Sequence, residues 1–208
     1  MTAEAPLKKV TAAKAAEVCE HFDLDRKARP LLRPDATPAG FLDALKADRQ
    51  HQAAVCFLAH ALPAREAIWW ASLCVGQKGG AALPPAELAA TRAAIAWVLD
   101  PSEPNRQAAE RAAVAVEKGT PAELLAVAVG WTGGSLSPPV PKVPPVPPGP
   151  YLPAKGVYGA VLLAATKAGG ADVQETLRAF VELGLGVAEG RYAWPDVRPK
   201  AAGATWGF

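Results

Sequence analysis

The side chains with the most reactive chemistry here are three cysteines, Cys19, Cys56 and Cys74, and three histidines, His21, His51 and His60. Cys56 and His60 stand four residues apart in a helical-looking stretch, so they share one face of the helix. Such a pair can make a nucleophile if an oxyanion site lies beside it. One reading is therefore an enzyme whose site is built around Cys56, His60 and Arg65. The simpler reading is a buried small thiol beside a hydrogen-bonded histidine, because Val55, Phe57 and Leu58 surround the cysteine. Adding Cys19, His21 and His51 does not make a zinc site. Structural zinc takes four ligands, supplied as close pairs such as Cys-x-x-Cys, and only isolated pairs exist. No metal and no cofactor is expected.

Other catalytic signatures are missing. There is no Gly-x-Ser-x-Gly and no glycine-rich loop ending in Lys-Ser or Lys-Thr. Gly133-Gly134-Ser135 lacks the strand-then-helix context of a phosphate loop, and Gly76-Gln77-Lys78-Gly79-Gly80 reads as a helix end followed by a loop. Carboxylates are single and interspersed with bases. Glu66 suits the first turn of a helix, where it opposes the dipole, and Arg65 suits a structural bridge. No catalytic residue is assigned.

The tryptophans are a more informative group, for which core packing is the favoured reading and a partner surface the sharper alternative. Trp69 and Trp70 are adjacent on a helix and point about 100° apart, so they do not share one narrow seam. One anchors the core and the other covers the proline belt or a second helix layer; the alternative is a partner surface, since tryptophan is enriched in binding hot spots. Residues 191–208 have no helical period, yet carry Tyr192, Trp194, Trp206 and Phe208. Disordered tails are poor in aromatics, so this tail docks on its own domain or on a partner. Trp70, Trp194, Trp206 and Phe208 are the expected partner-binding residues, with residues 202–208 ordering only in the partner's groove.

The elements that would position these groups are helices. Alanine-rich runs such as 12–16 and 108–113 favour helix, and no stretch alternates apolar and polar residues over a strand length. Thr37-Pro38 and Thr120-Pro121 each place a capping hydroxyl before a proline at the first helical position. Pro63 and Pro84-Pro85 mark two further starts. The spacing predicts helices near 11–22, 38–47, 50–61, 64–76, 85–99, 104–118, 121–131, 154–168 and 172–189. The expected fold is all-α: a multi-helix bundle, or a short irregular array of helical hairpins, since three helix starts look alike.

Residues 137–150 break the pattern: Ser-Pro-Pro-Val-Pro-Lys-Val-Pro-Pro-Val-Pro-Pro-Gly-Pro. Most of them lack a backbone donor, so polyproline II is their natural conformation. The segment is either a strap packed by its valines before the last two helices, or an exposed ligand for an aromatic-lined groove; the interleaved valines favour the strap. The expected organisation is a flexible 1–10, one helical domain over 11–190 and a tail over 191–208.

Composition narrows the function classes. A hydrophobic content of 50% supports a sizeable core and argues against disorder of the whole chain. A net charge of +2, with bases and acids mixed, lacks the basic footprint of a nucleic-acid binder. Three cysteines are an odd set in a chain of ordinary size, which suits a reducing compartment. The greasiest stretch, 157–165, is about half a membrane span, and no apolar run follows Lys8-Lys9; a cytoplasmic protein without membrane insertion is expected.

Several motifs resemble an uncharacterised bacterial family of Ala- and Pro-rich helical proteins encoded in some genomes beside type VI secretion genes. They are Leu31-Leu32-Arg33-Pro34, Thr37-Pro38 with Phe41-Leu42, the stretch from Phe57 to Pro63, Arg65 to Trp70, and Gly133-Gly134-Ser135-Leu136. The resemblance implies an accessory of a contractile secretion machine. The expected function is thus a non-enzymatic, protein-binding adaptor or effector chaperone. A self-associating structural subunit is the third reading, because Gly156, Gly159 and Ala160 permit close helix approach within or between chains.

Overall fold

The computed structural model describes residues 6–79, 83–137, 141, 144–167 and 172–194. Among these residues the chain is all-α: α1 Ala15–Cys19, α2 Pro38–Ala47, α3 His51–Ala61, α4 Ala64–Gly79, α5 Pro85–Leu99, α6 Glu103–Ala115, α7 Pro121–Gly130, α8 Leu152–Thr166 and α9 Val173–Ala188, with a 3-10 turn at Arg29–Leu31. The expected caps form: Thr37 Oγ1 accepts from Gly40 N–H at 3.1 Å, and Thr120 Oγ1 from Glu123 N–H at 3.1 Å. Most predicted boundaries fall within a few residues of the observed ones.

The exception is the first helix. Expected over 11–22, it occupies only Ala15–Cys19. The preceding backbone is spent on tertiary bonds instead: Lys9 N–H donates to the Ala188 carbonyl at 2.8 Å, and Ala15 N–H to that of Ala36 at 2.8 Å. Those bonds hold the N-terminal stretch across α9 and the start of α2, overriding alanine's helix preference.

α4 and α8 cross at the centre of the bundle. On one side α3 and α9 cover both of them; on the other, α5 and α7 pack on α4 while α7 runs against α8. A hairpin array would let each unit touch only its sequence neighbours. Here α3 packs on α9 and α4 on α8, so the chain closes into a bundle.

The main core is aromatic and aliphatic, with Phe41 edge-on to Phe57 at 5.1 Å. A second, small cluster joins α5, α6 and α7 through Ala90, Ala113, Val116, Ala122 and Ala126. Gly156 faces α7 so closely that an added Cβ would lie 2.8 Å from the Cβ of Ala128. At Gly159 it would lie 2.7 Å from Leu124 Cδ1. The small residues of α8 thus serve a helix crossing within the chain.

Trp70 is 0% exposed, and its indole N–H donates to the Phe180 carbonyl at 2.8 Å. It is a core anchor between α4 and α9, and the expectation that it faces a partner is corrected: a side chain sealed on all sides offers no contact surface. Trp69 is buried as well, donating to the Tyr192 carbonyl at 2.9 Å.

Candidate functional site

Cys56 and His60 do share a face of α3, but they do not form a nucleophile. His60 Nδ1 lies 2.8 Å from the Cys56 carbonyl oxygen and 3.9 Å from its Sγ. A carbonyl only accepts, so Nδ1 carries the proton and donates it. The histidine therefore presents no base to the sulfur. Burial, reinforced by Cys19, pushes the Cys56 thiol up to about 12, so it stays protonated at neutral pH. Burial also lowers the His60 pKa. Its Nε2 is buried without a partner among the described residues.

Arg65 is engaged elsewhere. Its Nε donates to the Val98 carbonyl at 2.6 Å and Nη2 to that of Leu99 at 3.1 Å, closing the C-terminus of α5. The guanidinium also lies 4.2 Å from the ring centroid of Trp194, a cation–π contact. The start of the C-terminal stretch is thus docked on its own domain. Arg191 and Tyr192 N–H groups both donate to the Gly186 carbonyl, at 2.8 and 3.1 Å. Trp206 and Phe208 lie outside the described residues. Among the described residues no three His, Cys, Asp or Glu side chains gather as a metal site.

The most distinctive surface feature is the proline-rich connection between α7 and α8. Pro144, Pro145, Val146 and Pro147 form neither helix nor strand and are all exposed, Val146 to 50%. The valine packing expected of a strap is not made by Val146; Val140 and Val143 lie outside the described residues. A pinch holds the segment to its own stem. Leu136 N–H donates to the Val146 carbonyl at 2.8 Å, and Val146 N–H to Ser135 Oγ at 3.0 Å.

Both ends of the connection are anchored in the bundle. At the downstream end Tyr151 stacks on His21, with ring centroids 3.6 Å apart and planes 15° apart. At the upstream end sits Arg106 of α6, 7% exposed. Its guanidinium donates to both carboxylate oxygens of Glu103 at 2.7 Å, to Glu110 at 3.2 Å and to the Gly130 carbonyl at 2.8 Å. Those hydrogen bonds, with one from Gln107, hold the Glu103 carboxyl down at about 2.

Gly134 closes over the guanidinium. Its φ of +74° is left-handed, and a Cβ there would meet Arg106 Nη2 at 2.7 Å. Residues 103–110 read in sequence as an alanine-rich helix with scattered charges. The spacing Glu103, Arg106, Glu110 was the available signal, since partners three and four apart meet on one helix face.

The architecture is that of a helical scaffold which displays an apolar, donor-poor segment on a fixed base. The chain belongs to a family of unknown function, DUF6931, whose model matches residues 41–188 and so takes in α3 to α9 together with the proline segment. Neither a curated protein nor a solved structure matches it.

Proposed function

We propose that this chain is a non-enzymatic protein-binding accessory, and that residues 144–148 are read by an aromatic-lined groove on its partner. The observation that carries this reading is the exposure of Pro144 to Pro147 on a stem held by Arg106 and Tyr151. Prolines already have φ fixed, so such a segment loses little entropy on docking, and its rings fit between aromatic side chains. Anchoring both ends reduces the ordering cost further. The resemblance in the motifs around Leu31–Pro34 and Gly133–Leu136 extends the proposal to the partner's identity: a component or effector of a type VI secretion machine.

The test is purification from the native host of the full chain carrying a photo-crosslinker at Val146, beside a variant with Pro144, Pro145, Pro147 and Pro148 changed to serine. A stoichiometric partner crosslinked at Val146 and lost in the serine variant, with the melting temperature unchanged, is the expected result. A partner retained by the serine variant, or no partner at all, would overturn the reading.

A further inference from the structure

The end of α3 lies under a stack of rings. His60, 8% exposed, has the Phe22 ring at 4.7 Å and the Tyr151 ring at 6.5 Å, and Tyr151 in turn stacks on His21 at 3.6 Å. His21 and Phe22 follow α1, and Tyr151 ends the proline connection. One histidine is thus the point where the N-terminal stretch, the proline segment and α3 meet.

The two nitrogens of His60 differ. Nδ1–H is committed to the Cys56 carbonyl at 2.8 Å, a bond it keeps whether the ring is neutral or charged. Nε2 is the atom that takes a proton, and it is sealed, with no acceptor among the described residues. An N–H formed there belongs to a buried cation with nothing to donate to, which costs more than a neutral orphan. The charges around the ring give little relief. Lys155 of α8 and His21 oppose a positive charge, and burial keeps the Cys19 and Cys56 thiols protonated, their pKa values pushed up to about 11 and about 12. Glu17 of α1 lines the neighbouring cleft, where its Oε2 accepts from Ala13 N–H at 3.1 Å. The C-terminus of α3 favours a cation, but burial prevails and lowers the His60 pKa despite the Cys56 bond.

What covers the ring is lightly held. α1 has five residues, of which Ala15 and Val18 are buried, and its start is tied by Ala15 N–H to the Ala36 carbonyl. An element with so few buried contacts opens locally while the bundle stays folded. A cleft of about 500 Å³, lined by His60 together with Glu17, His21 and Tyr151, gives a charged imidazole room and water once the rings part. We propose that His60 is the trigger of an acid-sensitive latch: neutral, it holds residues 15–22 and Tyr151 against the end of α3; protonated, it frees them, and with Tyr151 the downstream anchor of the proline segment. The latch stands whether or not that segment binds a partner.

The closed form binds the His60 proton more weakly than the open form, in which the imidazole titrates near its ordinary value of about 6.5. Opening therefore levels off above about pH 7.5 and rises as pH falls through about 6.5. Between about pH 7.5 and 5.5, one such group raises the open population by up to about tenfold.

The experiment is amide hydrogen exchange of the full chain at those two pH values, each rate divided by its intrinsic rate at the same pH. Ala15, Glu20 and Leu152, whose N–H groups donate to the Ala36, Ala16 and Gly149 carbonyls, report on the latch. Their exchange should speed up by up to about tenfold at the lower pH and should not respond to sub-denaturing urea, the mark of local opening. His21→Phe keeps a ring on Tyr151 and removes the other titrating imidazole, so it should behave like the parent chain. His60→Gln cannot become charged and should show no acceleration. No acceleration in the parent chain, an acceleration that persists in His60→Gln, or exchange that follows urea in step with the amides of α4 would overturn the proposal. So would a His60 imidazole that titrates at or above its ordinary value by NMR in the parent chain, a measurement that decides the matter even if His60→Gln fails to fold.

Discussion

Arg106→Met asks whether the base of the proline segment rests on one buried guanidinium, and on which of its bonds. Methionine keeps much of the stem and removes every donor. The carboxylates of Glu103 and Glu110 are 55% and 53% exposed, so water replaces the arginine once it is gone. Each of those pairs is worth about 0.3–1 kcal/mol. The Gly130 carbonyl differs: it is buried, and Arg106 Nη1 is its partner among the described residues. Leaving it bare costs about 1–3 kcal/mol, so the whole substitution should cost about 2–4 kcal/mol, with the carbonyl dominating.

Urea unfolding of the variants measures this. The expected order of destabilisation is Arg106→Met above Arg106→Lys, which keeps a charge but loses the planar fork, and both above Glu103→Gln and Glu110→Gln. If Glu103→Gln costs as much as Arg106→Met, the stabilisation lies in the ion pair and the reasoning is wrong. The pair also makes a pH prediction. The folded Glu103 carboxyl titrates at about 2 and the unfolded one near 4.3, so the unfolded chain takes up its proton first. Stability contributed by this pair is present above about pH 4.3 and is lost as pH falls towards about 2. Glu103→Gln should flatten that part of the acid-unfolding curve.

Three further outcomes are expected. Gly156→Ala should lower stability by about 1–2 kcal/mol, because the clash with rigid Ala128 outweighs alanine's helix preference; Gly159→Ala meets only the tip of Leu124 and should cost less, and thermal melts of the two variants check the ranking. Iodoacetamide should label Cys56 at least about tenfold more slowly in the native chain than in urea, since burial pushes its thiol up to about 12 and the loss of thiolate outweighs the gain in nucleophilicity; comparable rates by mass spectrometry would contradict the buried-thiol assignment. His60 is held neutral by burial, with its pKa lowered, so the unfolded chain binds its proton first and stability should fall as pH drops through about 6.5. Urea midpoints at pH 7.5 and 5.5 should differ less in His60→Gln than in the parent chain.

Helix positions were legible because their signals are local. Thr-Pro starts at 37–38 and 120–121 and the alanine-rich run at 108–113 need no knowledge of the rest of the chain. The first helix is shorter than its alanines suggest for the opposite reason: Lys9 and Ala15 give their N–H groups to Ala188 and Ala36, outside any window of alanines. Trp69 and Trp70 show a similar limit. Their divergence was readable, but both directions are buried because α9 covers one side and the chain after Gly190 folds back over the other. The role of Arg106 is not legible in the sequence because its decisive partner, the Gly130 carbonyl, lies 24 residues away.

The alanine content explains why such single anchors matter. An alanine side chain buries little apolar area, so the cluster joining α5, α6 and α7, four alanines and one valine, supplies little hydrophobic stabilisation. Small side chains let the helices approach closely, but several registers of smooth alanine faces would pack almost equally well. Directional bonds remove that ambiguity. Arg106 ties α6 to the end of α7, Arg65 ties α4 to the end of α5, and the Trp70 indole ties α4 to the backbone of α9. Two of these bonds satisfy helix-terminal carbonyls, which polar side chains reach only in one alignment. The Arg106 bond lies beside the glycine turn from which the proline segment departs. The same device that fixes the register of an alanine-rich bundle therefore also fixes the direction in which Pro144 to Pro147 are presented.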